Sequence, residues 1–599
     1  MTDRRNTRIR KLATLAAAVA SALAVPGLAN DLATTTTPIK HVIVIFQENV
    51  SFDHYFATYP FAANTTPGEP LFQAKPDTPA VNGLLTGPAA PPDNPTLNAA
   101  GTGTVQPFRL GRNQATTCDE DHNYTDEQAA YHAGQMDLVV QKLSSTAANC
   151  APDKSTVMGY YDGNTVTALW NYAQHFAMSD NFFNTTYGPS APGAINLVSG
   201  NTYGVLASNG TPTLPNSTIV NAPGIDQTTG LPGVRNVTLA GSNSNGNTGG
   251  GSVVGDPRPA GDVCNPLGSA QVAITSPSRN VGDLLSAKGL TWGWFQGGFG
   301  ACSSIHMASD GSVKQDYIGH HEPFNYFPST QNLNHLPPSS PAKVGHDDQA
   351  SHQYDLSELF AINSVSGAGS RTYDITGFQP GVTLPAVTYI KAPGFMDGHA
   401  QYSDPLLEQH FMVQLINAVM KSKYWKDTAI FITYDDSDGW YDHVYPPIAN
   451  PSALNAPASL PASNDALTGP GQCGTPLAGA AMGRCGYGPR LPLLVISPFA
   501  KRNYVDHTVA DQSSILRFIE DNFNLGRIDA MPKSVAQGGS FDQVAGSLDS
   551  LFDFDRREVD WRGSFDRALG WFDFERRDDR DDRDSRVLIL DPDTGQKLY

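Results

Sequence analysis

Several signatures of common enzymes are missing from this 599-residue chain. There is no G-x-x-x-x-G-K-[ST] loop to cradle phosphates and no H-E-x-x-H helix to hold zinc. No G-x-S-x-G elbow is present, which argues against a serine esterase of the α/β-hydrolase type. The stretch that begins at Cys264 lacks the arginine of a C-x-P-x-R nucleophile. Positive charge is scarce: 39 Lys and Arg stand against 58 Asp and Glu, for a net charge of −19. Bulk electrostatics therefore argue against nucleic acid and anionic membranes as partners. Cysteine is sparse as well, and no C-x-x-C pair occurs among the six.

What is present begins with a processing segment. Arg4, Arg5, Arg8, Arg10 and Lys11 precede an Ala/Leu/Val run that ends at Gly27-Leu-Ala29. This reads as an export signal over 1–29. The apolar run is too short, too Ala-rich and too broken by Pro26 for a stable membrane anchor. Arg4-Arg5 leaves the export route open, and the destination is periplasmic or secreted. In an oxidising compartment the cysteines are expected as disulfides. Sequence-local pairing, Cys118–Cys150, Cys264–Cys302 and Cys473–Cys485, is the preferred connectivity among several.

Strand-like and helix-like segments alternate along most of the chain. Val42-Ile-Val-Ile-Phe46 and Ala429-Ile-Phe-Ile-Thr-Tyr434 read as strands buried on both faces. Further strands are expected at Thr291–Phe295, Ala386–Ile390 and Leu493–Ile496. Helices are expected over 123–144, 164–175, Val281–Lys288, Asp404–Lys421 and from Thr508 or Asp511 to Phe523. This rhythm predicts a doubly wound, mostly parallel α/β sheet flanked by helices. The main domain runs from 38 to 530. Residues 64–117 read as an irregular excursion and 208–266 as a loop-rich insertion. Residues 531–599 form a charged C-terminal extension with a terminal strand at Leu588–Leu590. The tail beyond Phe554 is expected to be dispensable for chemistry.

Chemistry collects at the ends of the two most apolar strands. Glu48 and Asn49 follow the first, and Asp435 and Asp436 follow the second, with Asp442-His443 close behind. Ligands bind beyond the carboxyl ends of parallel strands, and hard oxygen donors suit a divalent cation. No lysine or arginine neighbours Asp435 and Asp436 in sequence. Ser190 falls at a predicted helix start, with Pro192 in the first turn. Alone it reads as a helix cap; beside a metal it becomes a nucleophile.

Together Glu-Asn-x-Ser-Phe-Asp at 48–53, Gly-Pro-Ser at 188–190, Asp-Asp-x-x-Gly-x-x-Asp-His at 435–443 and Gly-x-Arg-x-Pro at 488–492 resemble one family. It is the bacterial phosphoesterase family of secreted acid phosphatases and phospholipases C, with an alkaline-phosphatase-like core. The resemblance implies one divalent metal ion of undetermined identity, held by Glu48, Asn49, Ser190, Asp435 and Asp436. It also implies Ser190 as nucleophile and histidines around the phosphate. The matching positions are His122, His320, His321 and His399. His132, His175, His346, His352 and His410 match nothing and read as structural or surface residues.

Two departures bear on the substrate. Ala191-Pro-Gly-Ala194 replaces the Pro-Asn-Arg common in the phospholipase branch, and Asp435-Asp436 replaces the commoner Asp-Glu. The expectation is an exported metal-dependent phosphoesterase of acid-phosphatase type. Phospholipid diesters are the alternative substrate, and a metal-stabilised non-catalytic surface protein is the alternative from another class. Oligomeric state is not legible.

Overall fold

The run Val42–Phe46 lies wholly out of solvent, in the middle of a nine-stranded sheet. The computed structural model describes residues 34–85, 94–145, 150–151, 154–207, 222–225, 232–235, 251–266, 269, 271–274, 278–452, 473, 481, 483–554 and 586–598. The export segment, most of the 208–266 insertion and the charged run at 576–585 lie outside these residues.

The strands of the main sheet are β1 (His41–Gln47), β2 (Ala177–Phe183), β3 (Trp292–Gln296), β4 (Gln353–Asp355), β5 (Val387–Lys391), β6 (Thr428–Tyr434), β7 (Arg490–Ile496), β8 (Tyr504–Asp506) and β9 (Ala510–Asp511). Their order is β4-β3-β5-β1-β6-β7-β2-β8, with β9 also on β2. All pair in parallel except β7, which runs against both β6 and β2. The α-helices among the described residues are α1 (Phe52–Phe56), α2 (Tyr124–Tyr131), α3 (Val139–Lys142), α4 (Thr167–His175), α5 (Ser190–Ser199), α6 (Val281–Ala287), α7 (Pro405–Met420) and α8 (Gln512–Phe523). The fold is therefore α/β, a mostly parallel sheet flanked by helices, as its sequence rhythm predicts. None of these helices is long and apolar enough to cross a membrane.

Register extends past the strand ends. The Asp435 amide donates to the Gln47 carbonyl at 3.1 Å, Glu48 to Asp397 at 2.9 Å and Val50 to Asp436 at 2.9 Å. The loops after β1, β5 and β6 are thus fixed to one another at the sheet's carboxyl edge. These three backbone bonds cross-link the edge.

Several boundaries differ from expectation. The helix predicted over 123–144 is broken, because His132, Ala133, Gly134 and Met136 all take positive φ between α2 and α3. Apolar spacing alone does not register such a break. The strand predicted at Thr291 begins at Trp292, and Asp404 is a cap that accepts from Leu406 and Leu407. Asp511, the second of the two predicted caps, starts α8. Residues 251–252 and 258–259 of the insertion form a small sheet with 203–207 and 271–274, which flank it. All three expected disulfides form.

The end of the chain is docked against the domain. Asn417 on α7 exchanges hydrogen bonds with the backbone of Leu590 at 2.8 and 3.2 Å. Asn171 on α4 donates to Gly595 at 2.9 Å. Leu588 and Leu590 are buried, so residues 586–598 contribute to packing.

Because β7 is reversed, its first residue reaches the same edge as the last residues of its neighbours. Arg490 donates to Asp53 at 3.0 Å and to Asp442 at 3.1 Å. Its remaining donors meet the carbonyls of Asn82 and Asp180 at 2.7 and 2.8 Å, and its guanidinium lies 4.2 Å from the Phe52 ring centre. Arg490, Asp53 and Asp442 are buried, and His443 Nδ1 approaches Asp53 at 2.6 Å. Arg490→Met removes the cation and leaves two buried carboxylates short of a partner. Unfolding in urea under non-reducing conditions is expected to show a loss of about 3–5 kcal/mol. A loss below about 1 kcal/mol would mean that the cluster does not hold the edge together.

Candidate functional site

Ser190 is the first residue of α5, after a turn in which Gly188 takes φ 114°, a conformation that favours glycine. The turn is clamped from two sides. Gly188 donates to Glu127 Oε2 at 2.9 Å, and Ser437 Oγ donates to Glu127 Oε1 at 2.8 Å. The cap position is Pro189, with no side-chain cap. The helix-cap reading of Ser190 is therefore not what the fold uses.

Instead the Ser190 hydroxyl faces two carboxylates. Oγ lies 3.1 Å from Glu48 Oε2 and 3.1 Å from Asp436 Oδ2. A hydroxyl has one proton and cannot donate to both. Burial, and then the charge of Asp435, pushes the Glu48 and Asp436 carboxyls well up. Three oxygens converge with too little positive charge among them, an arrangement that suits a cation.

Unpaired donor atoms extend the same pattern. Asn49, at φ 64°, donates its amide N–H to Asp435 Oδ1 and its side-chain NH₂ to Asp438 Oδ1, both at 2.9 Å. This leaves Asn49 Oδ1 and Asp435 Oδ2 buried without a hydrogen-bond partner. Asp438 Oδ2 and His321 Nε2 are also left over. Buried polar atoms are seldom left so. Oxygen donors from Glu48, Asn49, Ser190, Asp435 and Asp436 fit a hard divalent ion, as the family resemblance implies. Glu48, His321 and Asp397 also converge closely enough to share one.

The four predicted histidines lie on the surrounding wall. His321 Nδ1 is 3.1 Å from Glu48 and 4.0 Å from Asp397, and its ring is 4.5 Å from that of His320. His122 Nδ1 lies 3.4 Å from Asp438, and its ring is 6.3 Å from that of His399. Burial opposes charge on His122, but Asp436 and Asp438 outweigh it and hold the imidazole well above its usual pKa. His320 is pushed well down, first by burial and then by the charges of Arg258 and Lys314. Burial likewise brings His399 to about 4.

The absence of a cation beside Asp435 in the sequence does not carry over to the fold. Lys391, the last residue of β5, is buried against Glu48 Oε1 and lies 3.7 Å from Asp435 Oδ2. Parallel pairing of β5 with β1 brings it there. Asp397 and Asp438 join the cluster too. The rule that selected Glu48 would have found Lys391, which directly follows a predicted strand. Asp397 precedes His399 by two residues and carried the same signal. Asp438 is brought in by the turn after β6, where it takes φ 52°.

The Ala191-Pro-Gly-Ala194 segment has a steric reason. A Cβ on Gly193 would lie 2.0 Å from the Asp435 carbonyl oxygen and 2.8 Å from its carbon. That carbonyl accepts from Asn184 and Gln512, each at 2.6 Å, so it is held from several sides. Only a residue without a side chain lets α5 bring Ser190 this close.

A model of the Phosphoesterase family matches residues 39–526. A non-hemolytic phospholipase C of Burkholderia pseudomallei is 26% identical over 91% of this chain and 63% of its own length. One from Pseudomonas aeruginosa is 23% identical over 90% of this chain and 60% of its own length. The chain thus spans less than two thirds of these relatives. Phospholipase C A of Mycobacterium tuberculosis is 22% identical over 86% of this chain and 78% of its own. Among solved structures, a Vibrio parahaemolyticus protein of the alkaline phosphatase superfamily aligns over 62% of this chain and 65% of its own, at 12% identity. Its TM-score of 0.23 is too low to carry an argument.

The contact at Gly193 can be tested directly. Gly193→Ala is expected to lower unfolding free energy by about 1–3 kcal/mol, because backbone on one side must move. Chemical denaturation of parent and variant measures it. Equal stability would show that α5 is not held against the Asp435 carbonyl.

Proposed function

The chain belongs to the Phosphoesterase family, and from that footing we propose that it is an exported metal-dependent hydrolase of phosphate esters with Ser190 as nucleophile. The observation that carries the reading is the Ser190 hydroxyl at a helix start, 3.1 Å from both Glu48 and Asp436. A divalent ion held by Glu48, Asn49, Ser190, Asp435 and Asp436 would lower the hydroxyl's pKa and offset charge on the phosphoryl oxygens.

The chain's own residues account for the remaining steps. The Ser190 proton has two acceptors already in contact, and Oγ attacks phosphorus in line with the ester oxygen. The P–O ester bond breaks, and the leaving alkoxide takes a proton from His122, which its carboxylate neighbours keep charged. Water then attacks the phosphoserine, its proton returns to the same histidine, and phosphate leaves. Lys391 screens Glu48 from Asp435 and holds the ligand set together between turnovers.

A phosphomonoester is the preferred substrate class. Arg258, Lys314 and Lys391 all act on His320 electrostatically, and several cations acting near one histidine of the site suit a dianion better than a monoanionic diester. A second reading, phospholipid cleavage, is favoured by the names of the similar proteins, each a phospholipase C. Comparing kcat/KM for p-nitrophenyl phosphate and for phosphatidylcholine vesicles separates them. Faster release of phosphocholine would overturn the monoester assignment and leave Ser190 in place.

Ser190→Ala is expected to fold normally and to lose at least roughly 10³-fold in turnover. Turnover and melting temperature measured on one preparation decide the matter. Near-normal turnover would remove Ser190 from the reaction and favour a non-catalytic role for the cluster.

Asp435→Ala and Asp436→Ala are each expected to abolish turnover and bound metal together. Elemental analysis of the dialysed proteins checks this, and full metal occupancy in both would sink the ligand assignment.

A further inference from the structure

A second set of residues, none of them used above, has the arrangement of a nucleophilic serine with its base and orienting acid. His306 lies on a hairpin in which Ile305–Met307 pairs with Val313–Gln315, and Asp316 follows directly. His306 Nδ1 is 2.7 Å from Asp316 Oδ1, and His306 Nε2 is 3.3 Å from Ser364 Oγ. Ser364 ends a strand, Phe360–Ser364, that pairs with Tyr373–Phe378.

The acid and the base are held rigidly. Ser304 donates to the other Asp316 oxygen at 2.6 Å. The Asp316 amide donates to Ser304 at 3.0 Å, and its carbonyl accepts from Gly394 at 2.9 Å. His306 has no exposure and stacks on Phe395 with ring centres 4.4 Å apart. With Nδ1–H committed to Asp316, Nε2 is left as an acceptor toward the serine. Ser364, by contrast, is exposed. A base fixed by a buried carboxylate and turned toward an accessible hydroxyl is the geometry that activates a serine.

Ser364 and Asp316 both line a cavity of about 450 Å³, together with Ile362, Tyr354, Tyr373 and Leu336. That volume takes a small organic molecule. Asp355 and Glu358 also line it, and their carboxylates disfavour an anionic substrate. The cavity therefore suits an uncharged ester and not the phosphate handled at Ser190.

We propose that Ser364, His306 and Asp316 form a second hydrolytic centre, acting on uncharged carboxylic esters of small alcohols. Ser364 Oγ bonds to the carbonyl carbon as its proton passes to His306 Nε2. The ester C–O bond breaks, and the alcohol leaves with that proton. Water then splits the acyl-serine, giving the acid and restoring the hydroxyl. Asp316 is a positioning residue throughout.

The test uses the full chain with p-nitrophenyl butyrate as substrate and a fluorophosphonate as covalent probe, with the adduct located by peptide mass spectrometry. Mapping by peptide separates labelling at Ser364 from labelling at Ser190. The expected result is an adduct on Ser364 and ester turnover that falls at least roughly 100-fold in Ser364→Ala. His306→Gln should slow labelling of the intact Ser364 to a similar degree, with the melting temperature unchanged. Asp316→Asn should lower kcat while leaving KM near the parent value. No adduct at Ser364, labelling as fast in His306→Gln as in the parent, or unchanged ester turnover in Ser364→Ala would each overturn the proposal.

Discussion

Too many negative charges meet in one dry place, and the rest of the structure is arranged around that fact. Glu48, Asp397, Asp435, Asp436 and Asp438 are all buried at the carboxyl edge of the sheet. Lys391 is the buried ammonium in direct contact with them. Bringing like charges together out of water is costly unless a counter-charge is built in or bound. Lys391 supplies part of that charge. The atoms left without partners show where more is needed. Oxygen donors gathered in this way suit a cation, and His122 and His321 lie against the same carboxylates.

Holding such a cluster needs a scaffold that does not relax. Three loops leaving β1, β5 and β6 are joined by backbone hydrogen bonds just past their strands, so the carboxylates cannot move apart independently. Gly193 brings α5 against the Asp435 carbonyl, and Glu127 ties the turn before Ser190 to the loop after Asp436. On the far side, the reversed β7 delivers Arg490 to Asp53 and Asp442. That second cluster is neutralised internally, by Arg490 and His443, while the first is not. The contrast separates a structural knot from a centre built to take up a ligand.

The same edge separates a fixed frame from parts that can vary. Ser190 and the carboxylates that face it sit on a helix start and at strand ends, whereas His122 and His399 sit in loops. Loops vary without disturbing the sheet. Relatives at 22–26% identity carry the name phospholipase C. In the segment after Ser190, Gly193 is set by contact with the backbone of Asp435.

The sequence by itself determined the strands that build the centre of the sheet, since runs such as Val42–Phe46 can only be buried. It picked out Glu48, Asn49, Asp435 and Asp436 as candidate donors, because they directly follow those runs, whereas the local cysteine pairing was one preferred connectivity that the structure then showed. The helix over 123–144 was misread, as apolar spacing carries no information about positive φ at His132 and Ala133. Lys391, Asp397 and Asp438 entered only with the tertiary structure. Lys391, which directly follows a predicted strand, and Asp397, close to His399, carried a local signal that went unused. Asp438 joins through the turn after β6, where it takes φ 52°, and the order β5-β1-β6 brings all three together. The direction of β7 is likewise a long-range outcome: a buried apolar strand reads the same either way, and only its pairing with β6 and β2 decided which end Arg490 would occupy.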